Sequence, residues 1–454
     1  MAQARTVDIT EIVDNSHFGS FQWQIALWCA ALVAFDGFDN GVISFVAPVI
    51  AKEWQAGPAS LGPVFSAGLS GLMLGALVSG PIADRYGRKR VVLASTLTFS
   101  IFALATVFAH SIIQLYILRF LTGIGVGGLM PNSIALMADY APKRTRATIV
   151  AVMFLGFPLG AGAGGFLGAA VIPRFGWESM FLIGGILPLV LLPFASFQLP
   201  ESIRFLVAHK RDTALVGSLL NRVTRTSEFS GDEEFIIADE RTLSGFAAKH
   251  LFTEGRGINT ALLWITFFCN LLVIYELASW LPIVLRDTGV PLESALRLGG
   301  MVPWAGIVGT IVLGPVVDRL GAPPVVAVLY VFAAGLIFAI GLAGADMTML
   351  FLTVTGVGIC VISGQSFINV ISATIYPSPV RSTGVGWALG VGRVGAIVGP
   401  LIGGLLLAAH ISSRNLFFTI AAPSLVAAMA MFVLWARGRD VEGGAAAKTA
   451  LMSS

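Results

Sequence analysis

Charged residues, cysteines and histidines are all scarce in this chain. Lys, Arg, Asp and Glu make up 12% of its 454 residues, about half their share in a soluble domain. The three cysteines and five histidines stand at no metal-ligand spacing, so we expect no metal, no disulfide and no cofactor. The net charge of +3 is too small to indicate a nucleic-acid partner.

Several sequence motifs are missing as well. No Gly-x-x-x-x-Gly-Lys-Ser/Thr loop is present, which excludes an ATP-driven pump of that type. No recognisable nucleophile or metal constellation indicates an enzyme. Gly123–Gly128 and Gly390–Gly395 fit the dinucleotide pattern, but both lie in apolar runs, so we interpret them as helix-packing glycines. The first 20 residues are polar, and we expect no cleavable signal peptide.

Long apolar runs dominate what is present. Hydrophobic residues make up 56% of the chain, and twelve runs of 18 residues or more predict an all-α polytopic membrane protein with twelve transmembrane helices. Six runs lie in 22–199 and six in 258–437, separated by a charged linker at 200–257. Tails at 1–21 and 438–454 complete the predicted organisation. We expect a monomer in contact with membrane lipid.

The loop charges predict the orientation. If both termini are inside the cell, eleven Lys or Arg residues near the ends of the spans lie on the cytoplasmic side of the membrane. At most five lie on the opposite side. Because positive charge favours the cytoplasmic side, we expect both tails and the linker in the cytoplasm of a bacterial cell, with the protein in its inner membrane.

Two carboxylates interrupt the first apolar run. Asp36 and Asp39 lie within Ile25–Pro48, which is long enough to cross a bilayer. An ionised side chain at mid-bilayer costs at least about 2.5 to 3.5 kcal/mol, so such residues usually face a protein interior or a wet cavity and serve a function. Their spacing places both on one helix face. Because adjacent like charges favour sharing a proton, we interpret the pair as a proton carrier.

A loop motif occurs twice, after the second and the eighth apolar run. The two copies stand at a constant offset and read Gly80-Pro-Ile-Ala-Asp84-Arg85-Tyr-Gly87-Arg88 and Gly314-Pro-Val-Val-Asp318-Arg319-Leu-Gly321. This internal repeat indicates two six-helix halves of common ancestry. Repeated halves around a mid-membrane site are typical of secondary transporters that work by alternating access.

The first loop resembles the signature loop of the major facilitator superfamily at every signature position. The resemblance implies the major facilitator fold, with twelve helices in two pseudo-symmetric halves. It also implies a cytoplasmic latch, in which Gly80 permits close helix approach and Asp84 meets a helix N-terminus or a cation. Arg85, Gly87 and Arg88 would complete this latch. The plainer alternative is a positive-inside anchor, which needs no Asp and no glycines.

Further motifs narrow the resemblance. They are Asp36-Gly-Phe-Asp39, Leu61-Gly-Pro63, Arg119-Phe-Leu-Thr-Gly123, Pro200-Glu-Ser-Ile-Arg-Phe-Leu206, Ser279-Trp280-Leu281-Pro282, Arg381-Ser-Thr-Gly-Val385 and Gly392-Arg393-Val-Gly395. Together they are similar to the aromatic acid:H+ symporter family, which includes bacterial carriers for benzoate, 4-hydroxybenzoate and protocatechuate. The implied function is import of an aromatic carboxylate in symport with protons.

The resemblance assigns roles to matching positions. Asp36 and Asp39 occupy the paired-acid motif needed for transport, and Arg119, Arg381 and Arg393 match basic positions expected to matter. Asp318 and Arg319 repeat the gating loop in the second half. Glu276 departs from the family, because an apolar residue is expected there. It could extend the proton pathway, change the substrate or pair with an arginine.

A ring acid arrives as an anion and needs a buried cation. We favour Arg393 for its carboxylate, since a guanidinium binds carboxylates bidentately, and Arg119 for the proton site, where it could also simply neutralise an Asp. Aromatic side chains expected near the cavity include Phe38, Tyr275, Trp280 and Trp387, although packing is the plainer explanation for each of them. Amides at Asn40, Gln365 and Asn369 are candidates for binding a ring hydroxyl.

Two other functions stay open. Gly386, Gly395, Gly399-Pro400 and Gly403 reproduce the glycine spacing associated with antiporters, although in the eleventh span, so a drug or metabolite antiporter of the same superfamily is the alternative. From a different class, a membrane sensor or scaffold is conceivable. The small, charged linker and tails argue against signalling.

Overall fold

The chain folds into long helices joined by short turns in a computed structural model. The structure describes residues 5–237, 251–253, 256–376 and 380–452, without the side chains of 381, 382, 413 and 438–452. Twelve helical segments within the described residues are long and apolar enough to cross a membrane. Helices suit this setting because their backbone polar groups are paired internally, away from lipid. The predicted all-α polytopic fold is confirmed.

The first six spans use seven helices. Their bounds are α2 Ser20–Glu53, α3 Pro58–Tyr86, α4 Arg88–Thr106, α5 Ile112–Tyr140, α6 Arg146–Phe154, α7 Gly156–Phe175 and α8 Glu178–Gln198. The fifth span is interrupted at Leu155, between α6 and α7. Gly156 and Pro158 follow directly, and both residue types weaken a helix interior.

The second six spans are single helices. They are α11 Gly257–Asp287, α12 Leu292–Leu320, α13 Ala322–Ala343, α14 Met347–Ile375, α15 Arg381–Ala408 and α16 Ser413–Met452. The last helix continues beyond 437, where we predicted the membrane span to end.

The N-terminal tail and the linker pair with each other. Strand β1 (Thr6–Asp8) and helix α1 (Ile9–Asn15) form in the tail, while α9 (Ile203–Ala208), α10 (Thr213–Thr224) and strand β2 (Glu234–Ile236) form in the linker. β1 and β2 run parallel. The sequence did not predict this strand pairing.

The chain groups into two compact units. Unit 1 holds the chain up to Val42, Ala67–Gly164 and the chain from Val171 into the linker; unit 2 holds Ile43–Ser66, Gly165–Ala170 and the chain after the linker. Within unit 1, one apolar core joins side chains of α1, α9 and α10 to those of α2 and α5. The sequence-based division into 22–199 and 258–437 stays a prediction.

Candidate functional site

A buried ion pair lies inside unit 1. Arg119 on α5 donates to both carboxylate oxygens of Asp39 on α2, at 2.9 Å to Oδ1 and 2.7 Å to Oδ2. Its Nη2 also donates to the Asp39 carbonyl at 3.2 Å. The side chains are only 4% and 5% exposed. A two-pronged, charge-assisted bond of this kind offsets the desolvation of both charges, which a single weak contact would not.

Asp36 lies one helical turn before Asp39 and is 1% exposed. Between them, a Cβ at Gly37 would clash with the carbonyl of Phe157 on α7, so only glycine permits this close helix contact. Phe38 is also buried and lies beside Gly184 of α8. The Asp36–Asp39 segment therefore holds two acids inside unit 1 on a tightly packed helix.

Unit 2 contains a second basic position, in α15. Arg393 is partly exposed, and its Nη1 lies 3.5 Å from the hydroxyl oxygen of Tyr275 on α11, which accepts its hydrogen bond. Trp387, six residues earlier in α15, is 44% exposed and stacks on Trp264 at 5.9 Å between ring centroids. The guanidinium forms no ion pair within the described residues, so it is available to an anion.

Glu276 follows Tyr275 in α11 and is 1% exposed. Its Oε1 is buried without a hydrogen-bond partner, and it makes no ion pair within the part of the chain that the structure describes. The pairing with an arginine that we considered is therefore absent there. Gly399 of α15 lies against Glu276, since an added Cβ would sit 3.4 Å from the Glu276 Cβ.

Trp280 packs inside unit 2. It is 1% exposed, its Nε1 donates to the Pro400 carbonyl at 3.0 Å, and Phe65 meets its ring edge-on at 5.3 Å. A buried indole with its only donor satisfied is a packing arrangement. Its predicted substrate contact stays a prediction.

Gln365 belongs to a chain of amides in unit 2. It accepts from Asn270 Nδ2 at 2.6 Å and donates to Asn369 Oδ1 at 3.2 Å. Asn270 and Gln365 join α11 to α14, while Asn369 is exposed.

The first signature loop is braced from within unit 1. Gly87 has φ +103°, a conformation that favours glycine, and a Cβ there would clash with the Glu201 carboxylate. Glu201 Oε1 accepts from the backbone N–H groups of Lys89 at 3.0 Å and Ser202 at 2.9 Å. These contacts fix the loop against the start of the linker.

Asp139, at the end of α5, is in contact with several polar side chains of this loop and of the start of the linker. Arg88 and Ser202 donate to its carboxylate, and Arg204 Nε lies 3.7 Å from it. Asp139 is 7% exposed. A buried carboxylate with several charge-assisted bonds is a strong tether.

Other gating positions are open to their surroundings. Asp84, Arg85, Asp318 and Arg319 are exposed, and an added Cβ at Gly80 would meet nothing within 4 Å. The close helix approach expected at Gly80 therefore stays a prediction. Arg381 begins α15, but its side chain lies outside the described residues.

Sequence reasoning missed two of these residues. Asp139 ends an apolar span directly before Tyr140 and the cations of the next turn, and Asn270 interrupts the span of α11. An acid or amide inside an apolar run was the available signal. Within the described residues, no three His, Cys, Asp or Glu side chains are grouped to hold a metal ion.

Comparison with known families decides what kind of protein carries this site. The sequence model of the Major Facilitator Superfamily matches residues 29–374 and 301–451. A gallate transporter of Pseudomonas putida is 40% identical over 425 residues, covering 94% of each chain. The chain belongs to the major facilitator superfamily, in its aromatic-acid transporter family.

Other members of this superfamily agree. The 4-hydroxybenzoate transporter PcaK of Acinetobacter baylyi is 39% identical, covering 95% of each chain. The benzoate transport protein of the same organism is 32% identical, over 95% of this chain and 93% of its own. Transport is the activity named for each, so the protein is a transporter and not an enzyme.

Solved structures show the same fold. The xylose transporter XylE of E. coli, in a partially occluded inward-open conformation, superposes with a TM-score of 0.71 at 18% identity, covering 91% of this chain and 98% of its own. A bacterial homologue of the lysosomal transporter Spinster gives 0.71 at 17% identity, covering 92% and 97%. The predicted major facilitator fold is confirmed.

Proposed function

We propose that this protein imports an aromatic carboxylate, of the hydroxybenzoate type, in symport with protons by alternating access. The names of its relatives support the substrate class, since gallate, 4-hydroxybenzoate and benzoate are all ring acids. The coupling ion is the proton, and no other cofactor takes part. We place a monomer in a bacterial inner membrane with both termini in the cytoplasm.

The single observation that carries the proton coupling is the buried Asp39–Arg119 pair with Asp36 one turn away. Protonation of Asp39 would weaken its bond to Arg119, because a neutral carboxyl accepts less strongly than a carboxylate. Breaking such a pair leaves a buried cation and costs about 3–5 kcal/mol. A proton at this site can therefore change the relative stability of two transporter states.

Protons are needed because the substrate is an anion. Moving one negative charge into a negative-inside cell costs roughly 2.3 kcal/mol per 100 mV. One proton per anion cancels that cost, whereas two protons make the membrane potential favour import. Glu276, buried in unit 2, is our candidate for the second proton carrier.

Arg393 is our candidate for the substrate carboxylate. It is partly exposed and forms only a long hydrogen bond, to Tyr275 at 3.5 Å, within the described residues. A guanidinium that is not held by a carboxylate can bind one bidentately. Trp387, which is 44% exposed, offers an aromatic surface for the ring.

The signature loop supplies the gate in this proposal. Glu201 and Asp139 hold Gly87, Arg88 and Lys89 in place, while exposed Asp84 is left to form a latch in one access state. Asp318 and Arg319 would act similarly in the repeated loop.

Uptake of labelled ring acids into vesicles containing the purified protein tests this function. We expect accumulation of 4-hydroxybenzoate when the outside is acidic, and none without a gradient. Vesicles with the Asp36→Asn variant should not accumulate it. Accumulation without a gradient, or full activity of the variant, would contradict proton symport.

Exchange by an antiporter is the second candidate, suggested by the glycines of α15. An added Cβ at Gly395 would clash with the Phe268 carbonyl, and one at Gly399 would lie 2.7 Å from the Leu272 carbonyl. These glycines pack α15 against α11, so close packing explains their spacing. The spacing of these glycines therefore gives no separate reason to propose exchange.

A further inference from the structure

Two segments of the first six spans belong to unit 2. They are Ile43–Ser66, from α2 and α3, and Gly165–Ala170, from α7, and they group with the second six spans. The start of α3 and the end of α7 lie on the same side of the membrane, opposite the first signature loop, because four spans separate them. In the proposed orientation this is the outer side. Unit 2 therefore contains contacts that join the two halves of the repeat near that side.

The first of these contacts joins α3 to α15. Ser66 Oγ donates to the Ile397 carbonyl at 2.7 Å, and Ser66 is 4% exposed. Closer to the start of α3, an added Cβ at Gly404 would lie 2.9 Å from the carbonyl oxygen of Pro58 and 3.2 Å from the Cα of Gly62. The backbones of α3 and α15 approach each other this closely because both helices carry glycine there.

The second contact joins α7 to α12. An added Cβ at Gly165 would lie 2.6 Å both from the Leu296 carbonyl oxygen and from the Gly300 Cα, closer than a Cβ approaches backbone atoms in proteins. Beside it, the ring of Phe166 stacks on that of Trp304 at 4.6 Å between centroids. Only glycine at position 165 permits the backbones of these two helices to meet in this way.

The internal repeat relates the two contacts to each other. α3 and α12 each have 29 residues and each precede a copy of the signature loop; Ser66 is the ninth residue of α3 and Gly300 the ninth of α12. Likewise, α7 completes the fifth span of the first half and α15 is the fifth span of the second. The same pair of spans therefore meets twice, with the halves exchanged.

Contacts between the two halves have to break in a transporter that works by alternating access. One half moves against the other around a central site, so a contact that closes one side of the membrane is lost when that side opens. Small residues let two backbones touch without side chains between them. Such surfaces separate and meet again without rearrangement of long side chains.

We propose that the two contacts form a single outer gate, which is closed in this structure. The gate consists of Ser66 and Gly404 on one flank and of Gly165 and Gly300 on the other, and its two flanks open and close together. This inference rests on the proposed function, since alternating access is what requires the gate to open.

Altering one flank while observing the other tests whether they form one gate. Ser66→Cys places a thiol in the first contact, and Gly165→Ala adds a methyl group to the second, where it opposes closure. A membrane-impermeant thiol reagent is added outside intact cells. We expect Gly165→Ala to make labelling of the introduced thiol about tenfold faster, since labelling follows the fraction of molecules with an open gate. Uptake of 4-hydroxybenzoate should be lost.

Gly335→Ala, also combined with Ser66→Cys, is the matched control. Gly335 lies within α13, and no described atom lies within 4 Å of an added Cβ there. This variant should change neither labelling nor uptake. The protein without Ser66→Cys gives the background from the three native cysteines, which are all buried. If Gly165→Ala fails to reach the membrane, Gly404→Ala should give the same two results.

The outcomes separate the gate from the proposed function. Unchanged labelling in the Gly165→Ala variant would overturn the inference, whether or not uptake is lost, because the two contacts would then be independent packing contacts. Faster labelling in that variant, together with failure of the wild-type protein to carry any ring acid, would support the gate and overturn the proposed function instead.

Discussion

The two units differ in whether their intramembrane charged side chains form ion pairs. In unit 1, Asp39 and Arg119 are both almost fully buried and neutralise each other through two short hydrogen bonds. In unit 2, within the described residues, Glu276 is as deeply buried but makes no ion pair, and the partly exposed Arg393 is bonded only to Tyr275, at 3.5 Å. Protonation of the acid can break the interaction between two paired charges. An unpaired carboxylate can instead bind a proton, and an unpaired guanidinium can bind an anion.

This contrast suggests a division of labour. A closed ion pair resists anions, because its cation is already compensated, so unit 1 suits proton coupling. The available guanidinium of Arg393 suits the substrate carboxylate. The predictions below either remove the contrast or make it sharper, beginning with the largest expected effect.

Removing the acid of the closed pair should have the largest effect. Asp39→Asn leaves Arg119 buried without its counter-ion, so we expect accumulation of substrate to be lost and the free energy of unfolding to fall by about 3–5 kcal/mol. Uptake in vesicles and thermal unfolding in detergent measure the two effects. The control is Asp39→Asn combined with Arg119→Gln, which should recover much of the stability but none of the accumulation. Recovered accumulation in the double variant would show that the pair is only structural.

Replacing the available arginine should weaken substrate binding. Arg393→Lys keeps the charge but loses the bidentate geometry, so we expect the KM for a ring acid to rise roughly tenfold. Arg119→Lys is the matched variant in unit 1 and should change KM much less. KM values from initial uptake rates decide this; similar small changes in both would mean that the carboxylate is held elsewhere.

Neutralising the unpaired acid should change the coupling rather than abolish transport. Glu276→Gln keeps the size and hydrogen-bonding capacity of the side chain but cannot release a proton. If Glu276 carries the second proton, uptake by the variant becomes insensitive to membrane potential, whereas the wild type gains roughly 2.3 kcal/mol per 100 mV. Potassium-diffusion potentials imposed across the vesicle membrane measure this. An unchanged response to potential would assign the second proton to another group.

The smallest expected effect is a difference between the two copies of the loop in how much they contribute to the free energy of unfolding. Gly87 and Gly321 share a positive φ, +103° and +84°, yet Glu201 lies against the first, whereas nothing described lies within 4 Å of an added Cβ at the second. Glu201→Gln should lower the free energy of unfolding by about 1–3 kcal/mol, and Asp318→Asn, at an exposed site, by less than about 0.5 kcal/mol. Thermal unfolding of the two variants checks this. Equal shifts would mean that the bracing seen at Glu201 contributes no stability.

Much of the fold followed from local pattern. Twelve apolar runs and the repeated loop were enough to predict the helices, because lipid permits few alternatives for a spanning backbone. The break at Leu155 and the pairing of β1 with β2 were missed. The latter depends on contact between the N-terminal tail and the linker, which are far apart in sequence and whose three-residue strands leave almost no periodic signal.

The candidate site was predicted only in part. Asp36 and Asp39 stood out because acids are costly in an apolar run. The sequence also allowed Arg119 to neutralise one of them, but only the structure shows that its partner is Asp39. Asp139 and Asn270 were missed because their importance lies in tertiary partners, Arg88 and Ser202 for the first and Gln365 for the second.

Substrate-driven proton movement tests the central claim most directly. Purified protein is placed in vesicles that contain a trapped pH indicator, with no imposed pH gradient or membrane potential. 4-Hydroxybenzoate is then added outside, which creates an inward gradient of substrate. We predict acidification of the vesicle interior by the wild-type protein, and none by the Asp39→Asn variant carrying Arg119→Gln. Substrate entry by the wild type without acidification would contradict proton coupling through Asp39.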